Sequence, residues 1–390
     1  MSLTLLFPRF VHPAIEERYA VWQNRLLITR AVPTAPVLDY DLSSRAADIL
    51  TGVGSTHVLV VTNPLFVAGS SLVSLLTEAL ARHPQAAASL PSANESPRAE
   101  QLRAPAVPYL TLRQFEDESA RAADLETDDQ LAEWDGSDPA VYLCRTEELS
   151  ESHESLARAL AGRSVVVERR AYIHRYSSHR GQVRTDLLER ISGDARTILE
   201  FGCGEGALGS ALKARQECRV VGVELNEEAA GIARTKLDSV HSGDVRDLMA
   251  RLDETFDWIV GGDILEHLEE PWSFLQDLRR VANPGAHLLL SLPNISSWPI
   301  VSDLLRGRFD YVYMGILCAG HVRFFTRRMI EEMLEIAGWR VVSIEAQETF
   351  STPEGVRWQK KLAHAGIEHS PEDLATPGFY VTARYDVTGL

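Results

Sequence analysis

From residue 197 onward, short apolar runs alternate with segments whose apolar residues recur every three or four positions. The runs predict strands at 197–201, 219–224, 238–242, 257–261, 286–292, 339–346 and 379–386. The periodic segments predict helices near 206–215, 226–236, 245–252, 271–282 and 327–337. Such alternation builds an α/β domain: a doubly wound, mostly parallel sheet with ligands at the carboxyl ends of its strands. Upstream the pattern is less regular. Residues 155–195 read as helical, with Asp186-Leu187-Leu188-Glu189-Arg190-Ile191 spaced as an amphipathic helix feeding the first strand. Thr56–Pro64 reads as a strand ending in a polar turn and 72–81 as a helix. Residues 84–108, rich in Ala, Ser and Pro, read as a loop, and the acidic stretch 115–138 as a solvated helix with its flanks. This predicts an N-terminal α/β domain over 1–150, a helical connector over 151–195 and a second domain over 196–390.

Composition narrows the classes. A chain of 390 residues with 45% hydrophobic content is large enough for two packed cores. A net charge of −16 argues against nonspecific nucleic-acid binding and against docking on anionic membranes. No run approaches the roughly 18 apolar residues of a membrane span. The start, Met-Ser-Leu-Thr-Leu-Leu-Phe-Pro, lacks the basic residues and small-residue cleavage site of a signal peptide. Cysteines at 144, 203, 218 and 318 have neither disulfide nor metal spacing, and the expected location is cytoplasmic.

The chemistry concentrates at 198–209, Ile-Leu-Glu-Phe-Gly-Cys-Gly-Glu-Gly-Ala-Leu-Gly. Glycines at 202, 204 and 206 let the chain turn sharply between a strand and a helix and let a cofactor lie on the backbone, with Cys203 a small residue between them. Gly202-x-Gly204-x-x-Ala207, with Glu224 beyond it, also fits a nicotinamide-dinucleotide fingerprint, so an oxidoreductase stays open on the glycines alone. Three features favour S-adenosylmethionine. Glu200, inside the first strand, offers a carboxylate to an amino-acid ammonium. Glu224, which ends the second strand with Leu225 after it, is the ribose-binding acid on either reading. Asp244 after the third strand, with Val245, offers a carboxylate to an adenine amine. The fourth strand runs into a polar edge, Gly262-Asp263-Ile264-Leu265-Glu266-His267, where Gly262 and Asp263 would border the cofactor.

Further blocks follow: Ser291-Leu292-Pro293-Asn294, Arg306-Gly307-Arg308-Phe309-Asp310-Tyr311 and His321-Val322-Arg323-Phe324-Phe325-Thr326. With the Leu265-Glu266-His267 turn, they make residues 175–345 resemble a class I S-adenosylmethionine-dependent methyltransferase. The resemblance implies a seven-stranded Rossmann-like sheet whose last strand is antiparallel, with S-adenosylhomocysteine as product. It also departs from the family: Cys318-Ala319-Gly320-His321 stands where the family usually reads Asp-Arg-Thr-His. The N-terminal half resembles the middle of a family-2-type glycosyltransferase, but Thr62-Asn63-Pro64 replaces the Asp-x-Asp metal site. A divalent ion there needs carboxylate oxygen, so a structural or docking role is expected instead.

Transfer of a methyl group to a hydroxyl requires removal of the hydroxyl proton, which suits histidine. His267 at the cofactor edge is the first candidate base and His321 the second. Residues 293–326 form a long aromatic segment from which Tyr311 and Arg323 are candidate acceptor contacts. No metal is expected: Asp263, Glu266 and His267 share one turn and cannot converge on an ion without ligands from elsewhere. The sequence thus points to an O-methyltransferase acting on a small-molecule, sugar or glycan acceptor, with no nucleic-acid or membrane partner. A dinucleotide oxidoreductase and a non-catalytic cofactor-binding scaffold are the alternatives.

Overall fold

A computed structural model describes residues 2–9, 14–96, 98–106, 109–149, 152, 154–176, 181–249 and 251–386. The chain divides into two compact units, Met1–Ser177 with Asp310–Gly320, and Ser178–Phe309 with His321–Leu390.

The first unit is a mixed sheet with helices on its faces. Its strands are β1 (Leu3–Pro8), β2 (Val37–Tyr40), β3 (His57–Val61), β4 (Phe66–Ala68), β5 (Ala88–Ala93), β6 (Gln130–Glu133), β7 (Val141–Arg145) and β8 (Ser164–Arg175). Their order is β2-β1-β3-β7-β5-β8-β4, with β6 pairing to β8. Helices α1 (Ile15–Ala31), α2 (Ala46–Leu50), α3 (Leu72–Arg82), α4 (Leu112–Ala123) and α5 (Thr146–Leu149) complete it.

Two expectations fail here. Residues 88–93, expected in a loop, form β5, a wholly buried strand between β7 and β8. Its Ala and Ser side chains carry little strand signal. Pro91, lacking an N–H, sits where the register to β8 shifts, a position at which a sheet tolerates proline. The centre of the supposed helical connector is β8. Its two apolar triplets, Val165–Val167 and Ala171–Ile173, are buried. The charged Glu168, Arg169 and Arg170 between them break the strand alternation. Glu168 is fully buried there, bonded by Arg82 and Arg170. Only α6 (Thr185–Leu188), one turn, remains helical in the connector among the described residues. Thr62, after β3, donates from Oγ1 to Asp138.

The second unit is a seven-stranded sheet: β9 (Thr197–Phe201), β10 (Arg219–Glu224), β11 (Ser239–Ser242), β12 (Phe256–Gly262), β13 (Ala282–Pro293), β14 (Arg340–Ala346) and β15 (Gly378–Arg384). The order is β11-β10-β9-β12-β13-β15-β14, and only β15 runs antiparallel, as expected. In β9, Leu199 faces Val221 and Ile259 in the register, and Glu200 faces Gly222 and Val260. Central parallel strands are covered on both faces, which is why these segments read as continuous apolar runs. One core holds Leu199, Phe201, Ile259 and Leu290; the other, across the sheet, holds Ile198, Val220, Val260 and Leu289.

Helices α7 (Ala207–Arg215), α8 (Glu227–Ala233), α9 (Val245–Met249), α10 (Pro271–Asp277) and α12 (Arg327–Ile336) stand where periodicity places them. Helices α11 (Trp298–Leu304), α13 (Pro353–His364) and α14 (Pro371–Ala375) carried no expectation. Among the described residues no helix is long and apolar enough to cross a membrane.

Candidate functional site

The carboxyl ends of β9, β10 and β12 meet around the glycine turn. Gly202, Gly204 and Gly206 have φ of +74°, +53° and +74°, a region that side-chain-bearing residues rarely occupy. The amides of Gly202 and Cys203 both donate to the Val223 carbonyl, at 2.8 and 3.1 Å, so the turn is tied to β10. A Cβ on Gly202 would lie 2.2 Å from Cδ1 of Ile264. Space as well as φ therefore requires glycine there. Gly206 in turn precedes α7, whose first amides have no earlier carbonyl in the helix. Cys203 is buried, and burial pushes its thiol pKa up, so it is an inert packing residue.

Of the strand-tip acids, Glu224 belongs most directly to the turn. Its Oε2 accepts from the Gly204 amide and its Oε1 from the Asn226 amide, both at 2.8 Å. Each carboxylate oxygen keeps a further lone pair, which leaves capacity for ribose hydroxyls. Leu225 beside it is 72% exposed, an uncovered apolar face suited to an adenine ring. Glu200 is buried, and its Oε2 has no hydrogen-bond partner among the described residues. Burial pushes its pKa up to about 8, opposed by a bond from the Gly209 amide. A buried acid with one unpartnered oxygen at the foot of a glycine cradle fits a cofactor carrying an ammonium.

Asp244 starts α9, where it accepts from the Arg246 amide at 2.9 Å and pairs with the Arg246 guanidinium at 2.6 Å. The Arg246 hydrogen bond holds the Asp244 carboxyl below the usual range. The next residue, Val245, is buried. Asp244 therefore has a capping task alongside the adenine contact expected of it.

At the end of β12, Asp263 adopts φ +56°. Its Oδ1 accepts from Ser291 Oγ at 2.9 Å and its Oδ2 from Arg184 at 2.7 Å. Arg184 also grips Asp186 and reaches Ser291 Oγ at 3.1 Å. Its Nη1 lies 3.0 Å from where a Cβ on Gly262 would stand. Sequence reasoning missed Arg184, because nothing local in Val183-Arg184-Thr185 distinguishes it from a surface arginine.

The Leu265–His267 turn is a single turn of 3-10 helix. Its Glu266 carbonyl accepts from the amides of Val322 and Arg323, at 2.8 and 3.1 Å, which pins the distant 321–323 segment alongside. His321 Nε2 then lies 3.9 Å from Glu266 Oε1, and the His267 and His321 rings meet edge-on at 4.8 Å between centroids. Burial, then Asp263, pushes the Glu266 carboxyl well above its usual range. The two candidate bases thus share one place. His321 thus brings a donor group from outside the turn to the place where Glu266 and His267 stand. One donor atom from each of Glu266, His267 and His321 falls within 4.8 Å of the others.

The remaining candidates part company. Arg323 donates to the Glu269 and Val322 carbonyls and lies 5.3 Å from the Trp272 ring centre, a positioning duty. Phe325 is core, and Thr326 caps α12. Tyr311 belongs to the first unit, where its ring packs 6.2 Å from Tyr19 and its carbonyl accepts from Gln23. The Ser291–Asn294 block is also structural in part, since Asn294 donates to the carbonyls of Asp373 and Thr376.

Comparison with known proteins follows the same lines. Residues 172–344 match the family model described as "Methyltransferase domain". A "Ubiquinone biosynthesis O-methyltransferase" of Hahella chejuensis is 34% identical over 29% of this chain and 50% of its own length. A "Probable S-adenosylmethionine-dependent methyltransferase" of Mycolicibacterium smegmatis is 30% identical over 40% of this chain and 55% of its own length. The chain thus spans about half the length of these curated relatives. A solved S-adenosylmethionine-dependent methyltransferase from Archaeoglobus fulgidus is 18% identical, covering 52% of this chain and 91% of that one, with a TM-score of 0.39. Residues 172–344 thus match a methyltransferase domain, and the glycine turn with its flanking strands lies within that stretch.

Proposed function

We propose that the protein methylates a hydroxyl oxygen of a small-molecule acceptor, a sugar or glycan being one class of candidate. The observation that carries this is the meeting of His267, His321 and Glu266 one turn beyond Gly262, at the edge of the cofactor cradle. When bound, S-adenosylmethionine supplies an electrophilic methyl group on its sulfonium.

The residues divide the remaining work. Glu224 holds ribose hydroxyls while its bonds to the Gly204 and Asn226 amides keep the cradle closed. Leu225 and Val245 flank the base, and Asp244 takes the exocyclic amine. Glu200 faces the ammonium. Arg184 fixes Asp263 at the lip. The acceptor hydroxyl loses its proton at the Glu266–His267–His321 cluster. The buried Glu266 carboxyl stands 3.9 Å from His321 Nε2, close enough to act on it electrostatically.

The relatives named as O-methyltransferases support oxygen as the acceptor atom. A nicotinamide cofactor is disfavoured by the sheet, in which antiparallel β15 is inserted between β13 and β14; the dinucleotide-binding order has no such strand. A net charge of −16 supports a small acceptor over nucleic acid.

Calorimetric titration with S-adenosylmethionine, S-adenosylhomocysteine and NAD tests the cofactor. We expect the first two to bind and the third not to; NAD binding alone would overturn the reading. Labelled S-adenosylmethionine offered with phenols and sugar nucleotides, read by mass spectrometry, then identifies the acceptor. Methyl transfer confined to nitrogen acceptors would contradict the oxygen assignment.

A further inference from the structure

We propose that Glu266, His267 and His321 bind a divalent transition-metal ion, and that this ion holds the acceptor's reacting oxygen; the second half rests on the methyl-transfer reading above. Three donor groups from two separate stretches of chain each bring one ligand atom within 4.8 Å of the others. Donor atoms around a first-row ion stand about 3 Å apart, given metal–nitrogen and metal–oxygen distances near 2.1 Å. Small side-chain rotations close the remaining gap.

An independent observation points the same way. Glu266 is 1% exposed, yet its Oε2 has no hydrogen-bond partner among the described residues. A buried carboxyl oxygen without a donor costs about 1–3 kcal/mol. Among the described residues no group supplies that donor, so the fold carries the cost here, as it does at Glu200 Oε2. A cation there removes it. Asp263, which acts electrostatically on Glu266, adds negative charge to the place. The arrangement is also held in advance. The Val322 and Arg323 amides bond the Glu266 carbonyl, so the segment carrying His321 is fixed to the turn that carries the other two donors.

The donor set chooses the ion. Two imidazoles and one carboxylate suit Zn²⁺ or Mn²⁺, whereas Mg²⁺ and Ca²⁺ prefer oxygen ligands throughout. Three protein ligands leave coordination positions open, the mark of a site that takes a substrate oxygen. His267 is exposed, so the cluster is reachable. Bound to the ion, the acceptor hydroxyl loses its proton more readily; the O–H bond breaks, the proton passes to solvent, and the electron pair stays on oxygen. No electron transfer is involved.

The test uses the untagged full chain, stripped with a chelator, dialysed, and titrated by calorimetry with Zn²⁺, Mn²⁺ and Mg²⁺. Bound metal is counted by elemental analysis, and the Mn²⁺ form is read by electron paramagnetic resonance. We expect one equivalent of Zn²⁺ or Mn²⁺ per chain, Mg²⁺ at least tenfold weaker, and at least tenfold weaker binding in Glu266→Gln and His321→Ala. His267→Ala, at an exposed position, gives the same readout should the buried variants fail to fold. Absence of stoichiometric binding, or wild-type binding in His267→Ala and in whichever buried variant folds, overturns the site. S-adenosylmethionine titrated in parallel separates the two ideas. Cofactor binding without ion binding sinks this inference alone; ion binding without cofactor binding sinks the methyl-transfer reading and leaves the ion site standing.

Discussion

The Gly204 amide donates to Oε2 of Glu224 at 2.8 Å, so the acid ending β10 shapes the turn that follows β9. Removing that acid therefore has two effects. Glu224→Ala loses ribose contacts and frees the amides of Gly204 and Asn226. A charge-assisted hydrogen bond is worth about 1.5–3 kcal/mol, so S-adenosylmethionine affinity falls about tenfold to a hundredfold by calorimetry. Glu224→Gln fares little better, because a neutral amide accepts more weakly and its NH₂ faces a backbone donor. Unchanged affinity in both variants would show that the cofactor lies elsewhere.

Gly202→Ala is expected to abolish cofactor binding before it abolishes folding. The new methyl meets Ile264 Cδ1 at 2.2 Å, in a backbone conformation with φ +74°. Adding Ile264→Ala deletes both clashing atoms, Cδ1 and Cγ1, but leaves the φ penalty, about 1 kcal/mol. The double variant recovers melting temperature in part. Full recovery of both stability and binding would mean that sterics alone, and not backbone conformation, selects glycine.

Stability should fall as pH rises, in part through Glu200. The unfolded chain releases this proton near pH 4.5, whereas the buried carboxyl holds it to about 8. Between those values the folded protein binds more protons than the unfolded chain. The contribution is fully present below the lower value and is lost as pH rises through the upper one. Urea melts at pH 5, 6.5 and 8 compare wild type with Glu200→Gln, which cannot ionise. The wild-type slope should be the steeper, by up to about 1.4 kcal/mol per pH unit. Parallel slopes would remove Glu200 from the account.

Arg184→Met leaves Asp263, Asp186 and Ser291 without their shared donor. These pairs are half-exposed, so the stability loss is modest, about 1 kcal/mol. Turnover suffers more, by about tenfold, because misplacement at a reacting edge is expensive. Arg184→Lys restores little, since one ammonium cannot reproduce the guanidinium fork. Wild-type kcat/KM in the methionine variant would reduce Arg184 to a surface residue.

Legibility in the sequence followed locality. Strands β9, β10, β12 and β13 stood out because their residues are apolar on both faces, and the first three end in glycines and acids. Helices α7 and α12 announced themselves by spacing. Strand β5 did not, being made of alanine, serine and a proline that owes its place to a register shift. Strand β8 was obscured by Glu168, whose burial depends on Arg82 from α3 and on Arg170. At the site, the glycines and Glu224 were readable, whereas the grouping of Glu266 with both histidines was not.

By itself, then, the sequence determined the βα alternation, the glycine turn after β9 and the acids at the strand tips. These depend on side-chain periodicity and on φ at single positions, both properties of neighbours in the chain. Only the tertiary structure decided that His321 stands 3.9 Å from Glu266, that Arg184 holds Asp263, and that Tyr311 packs in the first unit. Each of those pairings joins segments far apart in sequence through a loop without period. Their meeting follows from main-chain bonds and packing that no local pattern encodes.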